Sequence, residues 1–288
     1  MSGSTLTLSY EGGWRLIPAP TIVIQAILYY NNIQINWRKI YMELKENERI
    51  DDLEYENLKI IQNSEWFCFG IDSVLLSDFA KNIKTNSIVL DIGTGTGIIP
   101  ILLSKKSKAK KFYAVEIQKE VAEMAGRSIL LNELEEKIEI INDNIKNINK
   151  YMENNLIDVI VTNPPYKKKE TGILNENKQK LISRHEVECN LEDIIKISSK
   201  LLKSKGEIYM IHRTERLAEI ILKLREYNLE PKNIRFIHSN INKESKMVLI
   251  KAVKNGNEYI QVEKPLIIYK ENGEYTGEIL EIYNKRSK

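Results

Sequence analysis

Short apolar runs alternate with helical patterns between residues 88 and 254, and this alternation limits the possible folds more than any other feature. The seven runs, in chain order, are SIVLDIG, KKFYAVEI, KIEIIND, IDVIVTN, GEIYMIH, NIRFIHS and KMVLIKAVK. Strands that alternate with helices form a mostly parallel sheet with helices on both faces. No helical pattern separates the last two runs, which indicates one antiparallel strand. We therefore predict an α/β fold with a seven-stranded, mostly parallel sheet.

The composition excludes several classes of protein. The chain has 288 residues, of which 42% are hydrophobic and 29% charged, and its formal net charge is +3. Any affinity for nucleic acid must therefore come from local patches. The two cysteines, Cys68 and Cys189, lie far apart and lack C-x-x-C spacing. This argues against a structural zinc site or a disulfide framework and favours a reducing compartment, so we expect a cytoplasmic protein.

Residues 1–41 differ in composition from the rest of the chain. Prolines interrupt the start of their apolar segment, IPAPTIVIQAILYY, and the unbroken part is well short of the ~20 residues that span a bilayer. The features of a signal peptide are also missing. From Met42 onward the chain is charged, with periodic apolar positions. We predict one functional domain over residues 42–288, preceded by a leader that is not part of it. The alternative is an extension that packs on the domain.

Unusual residues follow four of the predicted strands. The stretch DIGTGTG spans residues 91–97, Glu116 ends the second run, Asp143 ends the third, and NPPY follows the fourth at residues 163–166. In parallel sheets, ligands bind beyond the carboxyl ends of the strands. The first three ends together predict a site for a molecule with adenine and ribose but no required phosphate. Taken singly, each could be an ordinary turn or a solvated carboxylate.

In this order and spacing, the stretches DIGTGTG, VEI, ND and NPPY resemble the class I methyltransferases that use S-adenosylmethionine and modify amino nitrogens. The resemblance implies a Rossmann-like fold, S-adenosylmethionine as cofactor and no metal. The residues that it implies for the cofactor are Asp91, Gly93, Thr94, Gly95, Gly97, Glu116, Ile117, Asp143, Asn144 and Asn163. It implies a catalytic role for Asn163, Pro164, Pro165 and Tyr166.

The chemistry of an exocyclic amino group explains the two prolines. The lone pair of this nitrogen is delocalised into the ring, which makes it a poor nucleophile. Two acceptors, the side-chain oxygen of Asn163 and the carbonyl of Pro164, would favour a pyramidal nitrogen and free the lone pair. A rigid Pro-Pro turn fixes that carbonyl before the substrate binds. Tyr166 offers a ring on which a base can stack.

A closer resemblance covers residues 42–288. The stretches FGIDSVLLSDF, SRHE and HRTERL accompany the motifs above, and a loop rich in lysine follows NPPY. Together they resemble the YfiC/YabB-type branch, whose members methylate N6 of an adenine in valine tRNA beside the anticodon. The resemblance implies tRNA as partner, with no membrane and no protein partner. The substrate-binding residues that it implies are Phe69, Asp72, Lys167, Lys168, Lys169, Arg184 and His185.

Three alternatives stay open on the sequence alone. Methyltransferases of release factors use the same NPPY motif on a glutamine amide, but they carry a helical domain before the glycine loop. A DNA adenine methyltransferase would need the same pocket for its target base. The alternative from another class is a module that binds RNA or the cofactor without transferring a methyl group. A basic loop is as often merely solvated as it is bound to phosphates.

Overall fold

The structure is a computed structural model that describes residues 44–66, 70–164 and 190–285, all within the compact unit Leu44–Lys288. The strands are β1 Glu48–Asp52, β2 Lys59–Asn63, β3 Ile88–Ile92, β4 Lys111–Val115, β5 Ile138–Ile141, β6 Ile157–Thr162, β7 Leu202–Arg213, β8 Leu229–His238, β9 Ser245–Lys254, β10 Gln261–Val262 and β11 Leu266–Ile267. The α-helices are α1 Ile71–Phe79, α2 Ile98–Lys106, α3 Lys119–Leu131, α4 Leu191–Leu201, α5 Leu217–Glu226 and α6 Gly277–Ile282. The leader predicted over residues 1–41 lies outside the described residues.

A twisted, mostly parallel sheet forms the centre of the described part of the chain. Its strand order is β10-β8-β9-β7-β6-β3-β4-β5, and β11 also pairs with β8. Strands β3 to β7 pair in parallel, whereas β9 runs antiparallel to both β7 and β8. The seven predicted strands and the antiparallel strand are confirmed. The two-residue strands β10 and β11 extend the sheet beyond them.

Apolar side chains cover both faces of this sheet, which explains why its strands read as nearly continuous apolar runs. Successive residues of a strand point to opposite faces. In β3, Val89 therefore belongs to a cluster with residues of α1, α2 and α6. Its neighbour Leu90 belongs to a second cluster with residues of α4 and α5. The helices thus lie on both faces, as the alternating pattern predicted.

The carboxyl ends of β3, β4, β5 and β6 all lie at one edge of the sheet, because these strands are parallel and adjacent. The same direction holds for β7, so Arg213 is at this edge too. The bounds of β7 differ from the prediction, since it begins at Leu202 instead of Gly206. Its pairing with β6 shifts register between Ile157 and Val159, which accommodates the extra residues.

A hairpin that the sequence did not predict precedes the main sheet. Strands β1 and β2 pair antiparallel with each other, with Glu48 opposite Asn63. Strand β2 lies against α3, where the Ile61 amide donates to Ser128 Oγ at 3.0 Å. Glu48 also forms a buried ion pair with Arg127 of α3. None of the described helices is long and apolar enough to cross a membrane.

Candidate active site

Four loops meet at the carboxyl edge of the sheet. They follow β3, β4, β5 and β6 and begin at Gly93, Glu116, Asn142 and Asn163. The order β6-β3-β4-β5 puts the loop after β3 between those after β6 and β4. Three of the four loops carry the residues that the sequence predicted for a nucleoside-like molecule, and the fourth begins the NPPY motif.

The glycine loop folds back on the end of β4. The amides of Gly93 and Thr94 both donate to the carbonyl of Val115, each at 3.0 Å. Gly97 has a φ of +87° and directly precedes α2. A Cβ at this position would make an ordinary contact with the Cβ of Ala125 on α3, at 3.5 Å, but the positive φ would strain any side chain here. The loop is therefore held close to the backbone of the neighbouring strand.

Asp91 lies in β3 directly before this loop and Thr94 lies within the loop, and both are buried polar residues. Asp91 is 1% exposed and Thr94 is 3% exposed. Both carboxyl oxygens of Asp91 and the hydroxyl of Thr94 lack a hydrogen-bond partner among the described residues. Burial is the largest cause of a rise in the pKa of Asp91 to about 7; the nearby Thr94 hydroxyl opposes this rise and the charge of Glu116 adds to it. Buried polar groups are nearly always hydrogen-bonded, so these atoms fit a ligand that carries donors.

Glu116 is fixed at the end of β4. Its Oε2 accepts a hydrogen bond from the amide of Gly95 at 3.0 Å, and its Oε1 accepts from the amide of Gln118 at 2.9 Å. The carbonyls of Glu116 and Ile117 accept from the side-chain amide of Asn142, at 2.8 and 3.2 Å. The carboxylate thus joins the glycine loop to the start of α3, and Ile117 is held against the loop after β5.

Asp143 and Asn144 belong to the loop after β5, at the same edge of the sheet. Asp143 accepts hydrogen bonds from Asn147 and from the amide of Asn144, both at 2.7 Å, and from the hydroxyl of Tyr151 at 3.0 Å. The bond from Asn147 contributes most to lowering the pKa of Asp143 to about 2. Asn144 accepts from the amide of Lys146 and so caps the 3-10 helix that follows. Asp143 is therefore an ionised, oriented acceptor.

Asn163 and Pro164 lie at the end of β6, next to the glycine loop. The hydroxyl of Thr162 donates to the carbonyl of Ile92 at 3.0 Å, which ties the ends of β6 and β3 together. The side-chain amide of Asn163 donates to Ser73 Oγ of α1 at 3.2 Å. Pro164 is buried. Two independent contacts therefore hold the start of the NPPY motif, one from β3 and one from α1.

The structure brings most of the predicted residues together and leaves others undescribed. Asp91, Thr94, Glu116 and Asn163 all lie at one edge of the sheet. Asp72 is half-buried in the first turn of α1, beside Ser73. The predicted site residues that lie outside the described residues are Phe69, Pro165, Tyr166, Lys167, Lys168, Lys169, Arg184 and His185. Their roles stay predictions, as do those of the described residues.

Two residues of this edge were missed from the sequence. Ser73 contacts Asn163, which lies 90 residues further along the chain. Asn142 bonds to the backbone after β4. The signal for Ser73 was a hydroxyl within the apolar run of FGIDSVLL, since a polar side chain on the buried face of a helix needs a partner. Within residues 44–66, 70–164 and 190–285, no cluster of His, Cys, Asp and Glu could hold a metal ion.

Comparisons with known proteins agree with this architecture. The family model described as methyltransferase small domain matches residues 70–230. A protein of Porphyromonas gingivalis named tRNA1(Val) (adenine(37)-N6)-methyltransferase is 28% identical over 204 residues, which are 69% of this chain and 79% of that protein. A predicted O-methyltransferase from Agrobacterium tumefaciens superposes with a TM-score of 0.59 at 21% identity, over 75% of this chain and 97% of that one. TYW2 of M. jannaschii, solved with AdoMet, gives a TM-score of 0.51 at 16% identity, over 74% and 88%.

Proposed function

The chain belongs to the family of methyltransferase small domains, and from this premise we propose that it methylates the N6 amino group of an adenine in tRNA. The methyl donor in this proposal is S-adenosylmethionine. The most favoured target is the adenine at position 37 of valine tRNA, because the relative from Porphyromonas gingivalis is named for that reaction. A tRNA methyltransferase works where tRNA is made and used, so the cytoplasm is its proposed compartment.

The observation that carries the proposal is the juxtaposition of Asn163 with Asp91 at adjacent strand ends. Asp91 and Thr94 present buried, unpartnered polar atoms in the described part of the chain, which suits a cofactor with an amino group and hydroxyls. Glu116 and Asp143 are fixed acceptors on the far side of the glycine loop. This donor and acceptor set fits S-adenosylmethionine without requiring a metal or a phosphate.

The residues of the NPPY motif would act on the target base. The oxygen of the Asn163 amide and the carbonyl of Pro164 would each accept one hydrogen of the adenine amino group and so make its lone pair available. The bond from Asn163 Nδ2 to Ser73 fixes the amide before substrate arrives, and such preorganisation lowers the barrier without a cost at the moment of reaction. When bound, the cofactor supplies an activated methyl group to that nitrogen.

The rival substrates differ in what they would need from this chain. A release-factor methyltransferase would need its helical domain before the glycine loop, but the described residues before Gly93 fold as the β1–β2 hairpin, α1 and β3. A DNA adenine would need the same amino-group pocket, so the described geometry does not favour tRNA over DNA. The choice of tRNA rests on the named relative and on the lysine-rich sequence that follows Tyr166.

The test is nucleoside mass spectrometry of tRNA from a strain that lacks the gene. We expect N6-methyladenosine to disappear from position 37 of valine tRNA and to return when the wild-type gene is restored. Restoration with the Asn163→Ala variant should leave the base unmethylated. Normal methylation of that position in the deletion strain would overturn the proposal, and so would full rescue by the variant.

A further inference from the structure

A basic surface lies at the edge of the sheet opposite the candidate active site. It is formed by residues 81–87, which lead into β3, and residues 104–111, which lead into β4; we call it the amino-edge lysine surface. The two segments run side by side, since the Lys110 amide donates to the Ser87 carbonyl at 2.9 Å and the Asn86 amide to the Lys108 carbonyl at 3.3 Å. Neither segment contains Asp or Glu.

The lysines of these segments differ in how they are used. Lys106 belongs to the fold, because its nearly buried ammonium donates to the carbonyl of Ile282 at 2.7 Å and pairs with Asp78 at 3.3 Å. Lys81 also pairs with Asp78, at 3.1 Å, and Lys111 pairs with Glu139 at 3.4 Å. A further carboxylate, Asp158 of β6, accepts from the Ile88 amide at 2.8 Å beside this surface and pairs with Lys203 at 2.7 Å.

The other lysines are exposed, and within the described residues their ammonium groups form no hydrogen bond or ion pair. They are Lys84, Lys105, Lys108 and Lys110. Lys137 lies next to them and donates to the carbonyl of Ser104 at 2.6 Å. Burial lowers the pKa of Lys137, and the charge of Lys105 lowers it further. Positive charge is therefore concentrated here, in a chain whose formal net charge is only +3.

Helix α2 connects this surface to the candidate active site. It begins at the glycine loop and ends at Lys106 after nine residues, a span of ~14 Å. Lys105 near its end has an ordinary structural role, because a cation stabilises the carboxyl end of a helix. That reason does not apply to Lys84, Lys108 and Lys110, which lie outside any helix or strand. Their clustering complements the charge of a polyanionic partner.

We propose that the amino-edge lysine surface binds the phosphate backbone of the RNA substrate, away from the pocket that receives the target base. The identity of the partner as RNA rests on the proposed function. A folded tRNA extends well beyond its anticodon loop, and proteins recognise helical RNA mainly by its shape and its phosphates. Contacts at both edges of the sheet would let the enzyme select a whole tRNA, although the pocket itself reads only one base.

The experiment compares two triple variants with equal charge. Lys84→Gln, Lys108→Gln and Lys110→Gln remove the proposed contacts. Lys196→Gln, Lys200→Gln and Lys264→Gln form the matched control. The control lysines are exposed and, among the described residues, also lack a side-chain hydrogen bond or ion pair. Each variant lowers the net charge by the same amount, so long-range attraction to RNA falls equally in both. Melting temperatures establish that each variant is folded.

The measured quantity is the Kd for unmodified tRNA, determined by fluorescence anisotropy at several salt concentrations. Each lost phosphate contact lowers the slope of log Kd against log salt by roughly 0.7–0.9, so three contacts should lower it by about 2–3. At low salt the Kd of the surface variant should rise by about tenfold to several hundredfold. Its kcat should stay unchanged, because the pocket is remote. Equal slopes and equal Kd values for the two variants would overturn the proposal.

The same assay separates this proposal from the proposed function. If the wild-type protein bound tRNA through these lysines but methylated no RNA, the proposal for the surface would stand and the proposed function would be overturned. If the wild-type protein methylated tRNA and the two variants had identical salt slopes, the proposed function would stand and the proposal for the surface would be overturned. A third arm uses phosphatidylserine vesicles. Lysine-dependent binding to these vesicles, with none to tRNA, would assign the surface to a membrane and overturn the RNA proposal.

Discussion

Asp91 combines complete burial with two carboxyl oxygens that have no partner among the described residues. Its pKa, raised to about 7 by burial, means that the folded protein binds a proton that the unfolded chain releases at lower pH. The stability that this proton contributes is fully present below the ordinary pKa of an aspartate and is lost as pH rises through 7. Asp91 therefore destabilises the protein at alkaline pH when no ligand is bound.

Asp91→Asn should consequently stabilise the ligand-free protein more at about pH 8 than at about pH 5, by on the order of a few kcal/mol in the free energy of unfolding. Melting temperatures at the two pH values report this difference. Affinity for S-adenosylmethionine should fall in the same variant, as calorimetric titration would measure. Asp143→Asn is the control, because the pKa of Asp143 is about 2 and its charge does not change across this range. A parallel pH dependence of wild type and Asp91→Asn would refute the assignment.

Asn163 and Ser73 should affect the reaction much more than the binding of cofactor. We expect Asn163→Ala nearly to abolish methyl transfer, because this amide acts on the nitrogen of the substrate. Ser73→Ala should lower the single-turnover rate about tenfold, because Asn163 loses the hydroxyl that orients it. Ser73→Thr, which keeps that hydroxyl, should recover part of the rate. Cofactor affinity should stay within a few-fold in all three.

Ser77→Ala is the matched control on the same helix. Ser77 is buried and its hydroxyl donates to the Ser73 carbonyl at 2.7 Å, so its loss tests the helix without touching Asn163. If Ser77→Ala slowed transfer as much as Ser73→Ala, the effect would come from the helix. A rate close to wild type in Asn163→Ala would refute the mechanism itself.

The β1–β2 hairpin is attached to α3 by a buried ion pair. Arg127 donates to both carboxyl oxygens of Glu48, at 2.6 and 2.7 Å. The side chain of Arg127 is 7% exposed and that of Glu48 is 2% exposed. Burial favours the neutral form of Glu48, but the bonds from Arg127 prevail and lower its pKa. Glu48→Ala should reduce the free energy of unfolding by about 1.5–3 kcal/mol, since Arg127 loses its bonds to Glu48 but keeps its ion pair with Glu123. Urea unfolding measures this loss.

Lys45→Ala provides the comparison for the same hairpin. Its ion pair with Glu123 is exposed, so its loss should cost less than about 1 kcal/mol. Similar losses in the two variants would mean that the hairpin contributes no more to stability than an exposed ion pair does. Activity measured at a temperature where both variants are folded would establish whether the hairpin also supports the site.

The sequence predicted those elements that the physics of the sheet makes conspicuous. A strand covered on both faces is mostly apolar, so β3 and β6 were evident, and the polar residues at their ends were evident by contrast. Strands β1 and β2 were not predicted, because both lie in the charged stretch that follows Met42 and β1 is largely exposed. Strands β10 and β11 have two residues each, too few for any period.

Two further features could not be predicted from the sequence. The contact between Ser73 and Asn163 joins residues that are distant in the chain, and no local pattern reports such a pair. The amino-edge lysine surface arises only when residues 81–87 and 104–111 meet at the start of β3 and β4. The motif residues could be grouped before the strand order was known, because the carboxyl ends of parallel strands lie at one edge of a sheet.

At the scale of the whole molecule, the first prediction concerns the leader. The change of composition at Met42 leads us to expect that a chain beginning there folds and methylates tRNA like the full chain. Its melting temperature should agree with that of the full chain within a few degrees, and its kcat/KM should be equal within about twofold, because domains fold on their own cores. Differential scanning fluorimetry and a methylation assay measure both. A large drop in either would identify residues 1–41 as part of the functional domain.

The last prediction concerns how the molecule selects its substrate. An adenine at the edge of an anticodon loop is already partly unstacked, so bringing it into a pocket costs less than extracting it from a duplex. Asn163 and Pro164 suit any amino nitrogen, so selection must come from basic segments, with Lys167, Lys168 and Lys169 the first candidates. Folded valine tRNA should therefore be methylated much faster than its excised anticodon stem-loop, adenine-containing DNA or a release factor assayed in parallel. Replacing the three lysines with glutamine should raise the KM for tRNA and weaken its dependence on salt. Preference for DNA or for the protein would overturn the assignment even if every cofactor residue proved right.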